Sequence, residues 1–166
     1  MHVDVTRKRT MQKITPFLWF DTQAEEAAKF YTSVFKNSKL GSILHYDAAA
    51  AKAAGRPEGS VLTVEFELEG LPFTALNGGP QFTMSGAISF VITCQTQDEI
   101  DYYWDKLTEG GEAGQCGWIN RDKFGVTWQV VPANLPALIQ TPGGMQAMLK
   151  MTKFNIAELE AAAKGA

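Results

Sequence analysis

The sequence predicts an α+β protein: two tandem βαβββ-type units followed by C-terminal helices. Three observations predict it. The spacing of apolar residues switches between strand-like and helical along the chain. The same succession then begins again, with a second helix starting roughly 73 residues after the first. Beyond Pro132 the strand patterns stop and only helical ones remain.

The first unit opens with Ile14–Phe20, a short apolar run bounded by Asp21 and Thr22, as in a strand. Ala24, Ala27, Ala28, Tyr31, Val34 and Phe35 then recur at helical spacing, with Glu25, Glu26, Lys29 and Lys36 on the other side. Asp21 or Thr22 is expected to cap this helix, and Asn37-Ser38 to end it. Leu40–Tyr46 reads as a second strand. Residues 48–59, rich in Ala, Gly and Pro, suit either a short helical turn or a mobile lid. Next, Leu62, Val64, Phe66 and Leu68 alternate with Thr63, Glu65, Glu67 and Glu69, giving a strand with one apolar and one acidic face. Gly70 turns the chain into a strand over Pro72–Asn77, which Gly78-Gly79-Pro80 breaks.

The second unit begins with the continuous apolar run Ala87–Cys94, expected as a buried strand. Thr96 can cap a helix from about Gln97, whose stripe is Ile100, Tyr103, Trp104 and Leu107 and whose stop is Gly110-Gly111. Cys116–Asn120 and Val126–Val131 read as strands joined by a turn through Arg121-Asp122-Lys123. In the tail, helical segments fall at Leu135–Gln140, Gly144–Met151 and Ala157–Lys164. Met145, Met148, Leu149 and Met151 are expected to dock on the main body, the other reading being a methionine-based binding surface. The expected organisation is a flexible leader (1–11) and a single domain (12–166). That domain holds unit one (12–80), unit two (86–132) and a helical tail (133–166).

Composition narrows the function classes. The chain has 166 residues, 45% of them apolar and 20% charged, which fits one soluble domain whose core needs no metal or disulfide staple. A net charge of −3 is far from the basic footprint of a nucleic-acid binder. No apolar run is long enough to span a membrane. Two cysteines, Cys94 and Cys116, without paired spacing make neither a disulfide framework nor a zinc knuckle, and point to a reducing, cytoplasmic compartment. Residues 1–10 carry Arg7-Lys8-Arg9 and lack the apolar stretch of a signal peptide.

Particular words carry a resemblance. They are Pro16-Phe17-Leu18-Trp19-Phe20-Asp21, Glu25-Glu26-Ala27, Phe30-Tyr31, Leu76-Asn77-Gly78-Gly79-Pro80, Ser89-Phe90-Val91, Gln115-Cys116-Gly117-Trp118 and the stretch from Asp122 to Pro132. In this order over about residues 12–155, they resemble the vicinal oxygen chelate superfamily of glyoxalases, bleomycin resistance proteins and dioxygenases. Within it the chain looks like the PhnB-like branch, often labelled 3-demethylubiquinone-9 3-methyltransferase. The resemblance implies that each unit curls its sheet into half of a cup, with helices outside and a ligand inside, and that the protein is a homodimer. It also implies that metal-dependent members place their ligands near what are here Pro16, Asn77, Ala87 or Ser89, and Gln129. None of these is His, Asp or Glu, so the usual metal site is expected to be absent. The methyltransferase label finds no support in the residues. A Rossmann-type cofactor site needs a glycine-rich turn after the first strand, and this chain has Asp21-Thr22-Gln23-Ala24 there.

Asn77, Ser89, Thr127 and Gln129 are expected to point into the cup and hydrogen-bond a neutral polar ligand, with Trp128 on the helix-packing side. His45 is a candidate base or ligand, though a lone strand histidine is more often structural. Cys116 is a candidate cup residue, its alternative being an inert buried thiol. Glu65, Glu67 and Glu69 suit a hard cation or, more simply, a solvated or interface face. Asp122-Lys123-Phe124-Gly125 is expected as a tight turn, and Asn77-Gly78-Gly79-Pro80 as a chain reversal rather than a phosphate cradle. The resulting expectation is a glyoxalase-like small-molecule-binding protein that needs no cofactor and contacts neither nucleic acid nor membrane. One alternative is an enzyme of the same superfamily, of lyase, isomerase, dioxygenase or transferase type, with a displaced metal or metal-free site; another is an interaction or assembly module using the acidic strand face and the Met-rich tail. A divalent ion is the one cofactor left open.

Overall fold

The structure is a computed structural model that describes residues 12–165. The expected leader lies outside the described residues. The chain divides into two compact units, Met1–Gly79 and Pro80–Ala166. Each is built on a four-stranded mixed sheet of one topology.

In the first unit the elements are β1 (Phe17–Phe20), α1 (Ala24–Val34), β2 (Ser38–His45), α2 (Ala48–Ala54), β3 (Val61–Leu68) and β4 (Leu71–Asn77). The sheet order is β1-β4-β3-β2, with β1 parallel to β4 and the other pairs antiparallel. Alternation sends Leu18, Phe20, Val64, Phe66, Leu68, Phe73 and Ala75 to the buried face. There they meet the Ala24, Ala27, Ala28, Tyr31 and Val34 stripe of α1. Tyr31, Phe66 and Phe73 stack in succession, with centroids 6.2 and 5.2 Å apart.

Two local expectations are corrected here. The first strand starts at Phe17 rather than Ile14, which is 83% exposed. Neither Asp21 nor Thr22 caps α1: the N-cap is Gln23, whose side chain makes no cap. The helix is capped from across the unit, Asn77 Oδ1 accepting from Ala24 N at 2.8 Å. Residues 48–54 form a helix capped by Asp47, whose carboxylate accepts from Ala50 N. Arg56 ties the loop after it to Asp21, donating to the Asp21 carbonyl at 3.0 Å and approaching the Asp21 carboxylate at 3.4 Å.

The second unit comprises β5 (Phe90–Cys94), α3 (Gln97–Thr108), β6 (Glu112–Ala113), β7 (Trp118–Arg121), β8 (Trp128–Pro132), α4 (Leu135–Leu138), α5 (Pro142–Lys150) and α6 (Ile156–Ala163). Its sheet order, β5-β8-β7-β6, repeats the first, again with the outer first strand parallel to the last. Thr96 caps α3 as expected, accepting from Glu99 N. The strand expected from Ala87 begins at Phe90 and is not buried throughout. Ile92 and Cys94 face the core, while Val91 on the opposite side is 56% exposed. An apolar run reads as doubly buried when one of its faces simply carries exposed apolar residues. β6 has two residues and no periodicity of its own; Gly111 is needed there because a Cβ would stand 2.3 Å from the Arg121 carbonyl oxygen.

The tail docks on this second unit through Phe154 and Leu159, both fully buried. Gln97 on α3 donates to Phe154 O and accepts from Ile156 N, while Lys153 pairs with Asp101 at 2.8 Å. The Gln115-Cys116-Gly117 corner completes the dock: Cys116 N and Gly117 N donate to Met151 O and Thr152 O, each at 2.8 Å. Gly117 has φ +77°, and a Cβ there would lie 2.4 Å from the Phe154 ring. The apolar residues of the tail helix are less submerged than expected: Met145 and Leu149 remain 37% and 61% exposed.

Candidate functional site

With the apolar face of β1, β3 and β4 covered by α1, the opposite face of the first sheet is open. It holds a hollow of about 400 Å³ lined by Thr15, Lys39, Gly41, Glu65, Glu67 and Thr74, together with Phe66, Pro72 and Phe73. Local backbone explains this placement. Leu40 pairs with Phe66 and Ile43 with Val64, so Gly41 and Ser42 together stand opposite Glu65: a β-bulge. Gly41 admits that close approach, since a Cβ would lie 3.0 Å from the Glu65 carbonyl oxygen. The bulge brings Ser42 Oγ to donate to Glu65 Oε2 at 2.6 Å. Glu65 pairs with Thr74 on its other side, across β4. One register step away, Lys39 Nζ stands 3.6 Å from Glu67 Oε2. The arrangement offers carboxylate acceptors, threonine hydroxyls and one ammonium, a set for holding a small polar molecule by hydrogen bonds and charge. No His or Cys lines it.

The six residues singled out from sequence fall elsewhere. Asn77 is buried on the α1 side; its Oδ1 accepts from Ala24 N, its Nδ2 donates to Val61 O at 3.2 Å, and its carbonyl accepts from Tyr46 Oη at 2.7 Å. His45 is exposed at the end of β2, paired with Val61, the residue that Asn77 bonds. Thr127 is buried and donates to Asn120 O at 2.8 Å. Ser89 and Gln129 are brought together, Gln129 Nε2 donating to Ser89 Oγ at 2.9 Å. Cys116 sits at the tail corner with φ +56°, its thiol 3.5 Å from Met148 O. Cys94 is buried, and desolvation, followed by the charge of Glu99, pushes its thiol up to about 12, so it stays protonated and unreactive.

Other sequence words acquire structural roles. Trp128 is buried on the helix-packing side, as alternation predicts, and its Nε1 donates to Asp122 Oδ2 at 2.8 Å. Asp122 is itself only 2% exposed, and its Oδ1 accepts from Phe124 N and Val126 N at 2.8 and 3.0 Å. The turn is therefore built around a buried carboxylate. Gly78 lies under the Trp19 ring, where a Cβ would come within 2.2 Å of it, and Gly79 O accepts from Trp19 Nε1 at 2.8 Å. The double glycine seats a tryptophan.

At the positions that the superfamily resemblance implies for metal ligands, the side chains present are poor donors for a divalent ion. Pro16 and Ala87 have no donor side chain, the Asn77 amide is engaged at both ends, and Gln129 bonds Ser89. Among the described residues no group of three or more His, Cys, Asp and Glu side chains is placed to hold a metal. Nor, among them, is any helix long and apolar enough to cross a membrane.

Comparison with known proteins places this geometry. A family model described as 3-demethylubiquinone-9 3-methyltransferase matches residues 12–131. A solved PhnB protein from Bacillus cereus, whose description carries the same methyltransferase name, is 37% identical. That match covers 74% of this chain and 100% of the other, with a TM-score of 0.65. The structure of PA1353 from Pseudomonas aeruginosa, 18% identical over 73% of this chain and 97% of its own, shares the fold with a TM-score of 0.56. A comparison with curated proteins gives no match. The matched span runs through both sheets and ends within β8, and on it the chain belongs to the 3-demethylubiquinone-9 3-methyltransferase-like (PhnB) family.

Proposed function

We propose that this protein binds a small polar molecule on the open face of its first sheet, without the divalent metal usual in the vicinal oxygen chelate superfamily. The observation that carries this reading is the hollow beside β3. It has a volume suited to a small ligand, and its lining combines two carboxylates and an ammonium on β3 and β2 with the hydroxyls of Thr74 on β4 and Thr15 just before β1. The donor chemistry at the superfamily's metal positions supports the metal-free half of the reading, because neutral amides already engaged in backbone bonds make poor ligands. The residues after β1 do not fit the methyltransferase name that relatives carry. The segment after β1 is Asp21-Thr22-Gln23, with no glycine-rich turn to admit a nucleotide-bearing cofactor.

The natural partner for the exposed apolar side chains of β2 and β5 is a second copy of the chain: Leu44 is 58% and Val91 56% exposed. Light scattering on the full chain is expected to give the dimer mass, and a monomer mass at working concentration contradicts that assembly. Elemental analysis of protein purified without chelator tests the metal-free reading. Divalent metal well below one equivalent per chain is expected; a stoichiometric ion overturns it.

A further inference from the structure

The hollow beside β3 carries a charge asymmetry that narrows its ligand. Two carboxylates and one ammonium line it. The ammonium, Lys39 Nζ, lies 3.6 Å from Glu67. Glu65 has no cationic partner among the described residues; its contact is the neutral hydroxyl of Ser42, which occupies Oε2. The carboxylate is exposed, and the strands on either side define its setting. The bulge at Gly41-Ser42 stands against it on one side and Thr74 on the other, while Gly41 contributes no side chain to cover it. With one neutral hydrogen bond and a place in the lining of the hollow, Glu65 is an accessible acceptor for a positively charged donor. A planar amidinium or guanidinium, able to give two parallel N–H bonds, meets such a carboxylate best. A neutral ligand forgoes the charge, and an anionic one is repelled.

Resting on the binding reading above, we infer that the hollow selects ligands bearing a cationic nitrogen group of amidinium or guanidinium type, with Glu65 as its counter-ion and specificity-determining residue. The volume of about 400 Å³ accepts such a group on a body the size of one aromatic ring.

Three probes of nearly one size and shape test this: benzamidinium, benzamide and benzoate, which differ in charge and in their N–H donors. Each is titrated into the uniformly ¹⁵N-labelled full chain while the amide resonances of Gly41, Glu65 and Thr74 are followed. The expected result is saturable shifts at these amides with benzamidinium, at least tenfold weaker binding of benzamide, and none of benzoate, the factor being about that of one charge-assisted hydrogen bond. Glu65→Gln keeps the size of the side chain and an acceptor for Ser42, and is expected to weaken benzamidinium binding by about tenfold or more while leaving the remaining spectrum unchanged. Equal binding of benzamide and benzamidinium, or an unaltered affinity in Glu65→Gln, overturns the cation selectivity but leaves the hollow as a binding site. Absence of shifts at the hollow with all three probes overturns both.

Discussion

Asp122 illustrates how a single buried side chain can fix a turn, a strand and a core aromatic at once. Its carboxylate accepts from Phe124 N, Val126 N and Trp128 Nε1 while being almost wholly removed from solvent. Asp122→Ala leaves three donors without this acceptor, so a loss of about 3 kcal/mol or more is expected in chemical denaturation; a change under about 1 kcal/mol contradicts the role. Asn77 acts comparably in the first unit, and Asn77→Ala is expected to cost about 1–2 kcal/mol through the lost α1 cap and the unpaired Val61 carbonyl. Both positions show why residue-level function was only partly legible. Alternation placed Trp128 correctly, because it depends on period alone. Asn77 was expected to face a ligand because the family's ligand position falls there, and its actual partners, Ala24 N and Val61 O, are distant in sequence. An Asp in a polar turn is ordinarily exposed, and the burial of Asp122 follows only once the turn folds its amides and the Trp128 ring around the carboxylate.

Among the elements, the C-terminal segment owes its place to an α3 latch and a corner before β7. Gly117→Ala forces a Cβ onto the Phe154 ring at a backbone angle that disfavours side chains. The expected result is faster amide exchange across residues 151–156, with the first sheet unaffected; unchanged exchange contradicts the docking account. The latch also has a pH signature. Hydrogen bonds from Lys153 and then Gln97 hold the Asp101 carboxyl below its usual range, and the bond to Asp101 raises the Lys153 ammonium. The acidic partner's contribution is present above its unfolded value, about 4, and lost as pH falls through the lowered folded value. The basic partner's is present below about 10.4 and lost as pH rises through the raised one. Protection factors in 151–156 should therefore be greatest between roughly pH 5 and 10 and fall on either side, by a small amount because the pair is solvent-accessible. Asp101→Asn should flatten the acid limb; an unaltered limb contradicts the latch. Helices with strong periodicity, α1 and α3, were readable from sequence to within a few residues. β6 was not, since two residues carry no period, and the α1 cap was misassigned because it comes from another strand.

For the whole molecule, the repeated β1-β4-β3-β2 and β5-β8-β7-β6 topology is what the recurrence of patterns predicted. The candidate site was harder to read. Spacing by two shows that Glu65 and Glu67 share a face, yet sequence does not say whether that face is covered, solvated or hollow. The bulge at Gly41-Ser42, which stands opposite Glu65, is a mismatch between two strands and exists only once they pair. We propose a small-molecule site on the open sheet face that works without a divalent ion. It is tested most directly by following the amide spectrum of the chelator-treated full chain against a mixture of small amidines, amines, amides and alcohols. The predicted result is saturable shifts centred on Gly41, Glu65 and Thr74 in the presence of chelator and unchanged by added divalent metal. Shifts that arise only after a divalent ion is supplied, or that cluster away from these strands, would contradict it.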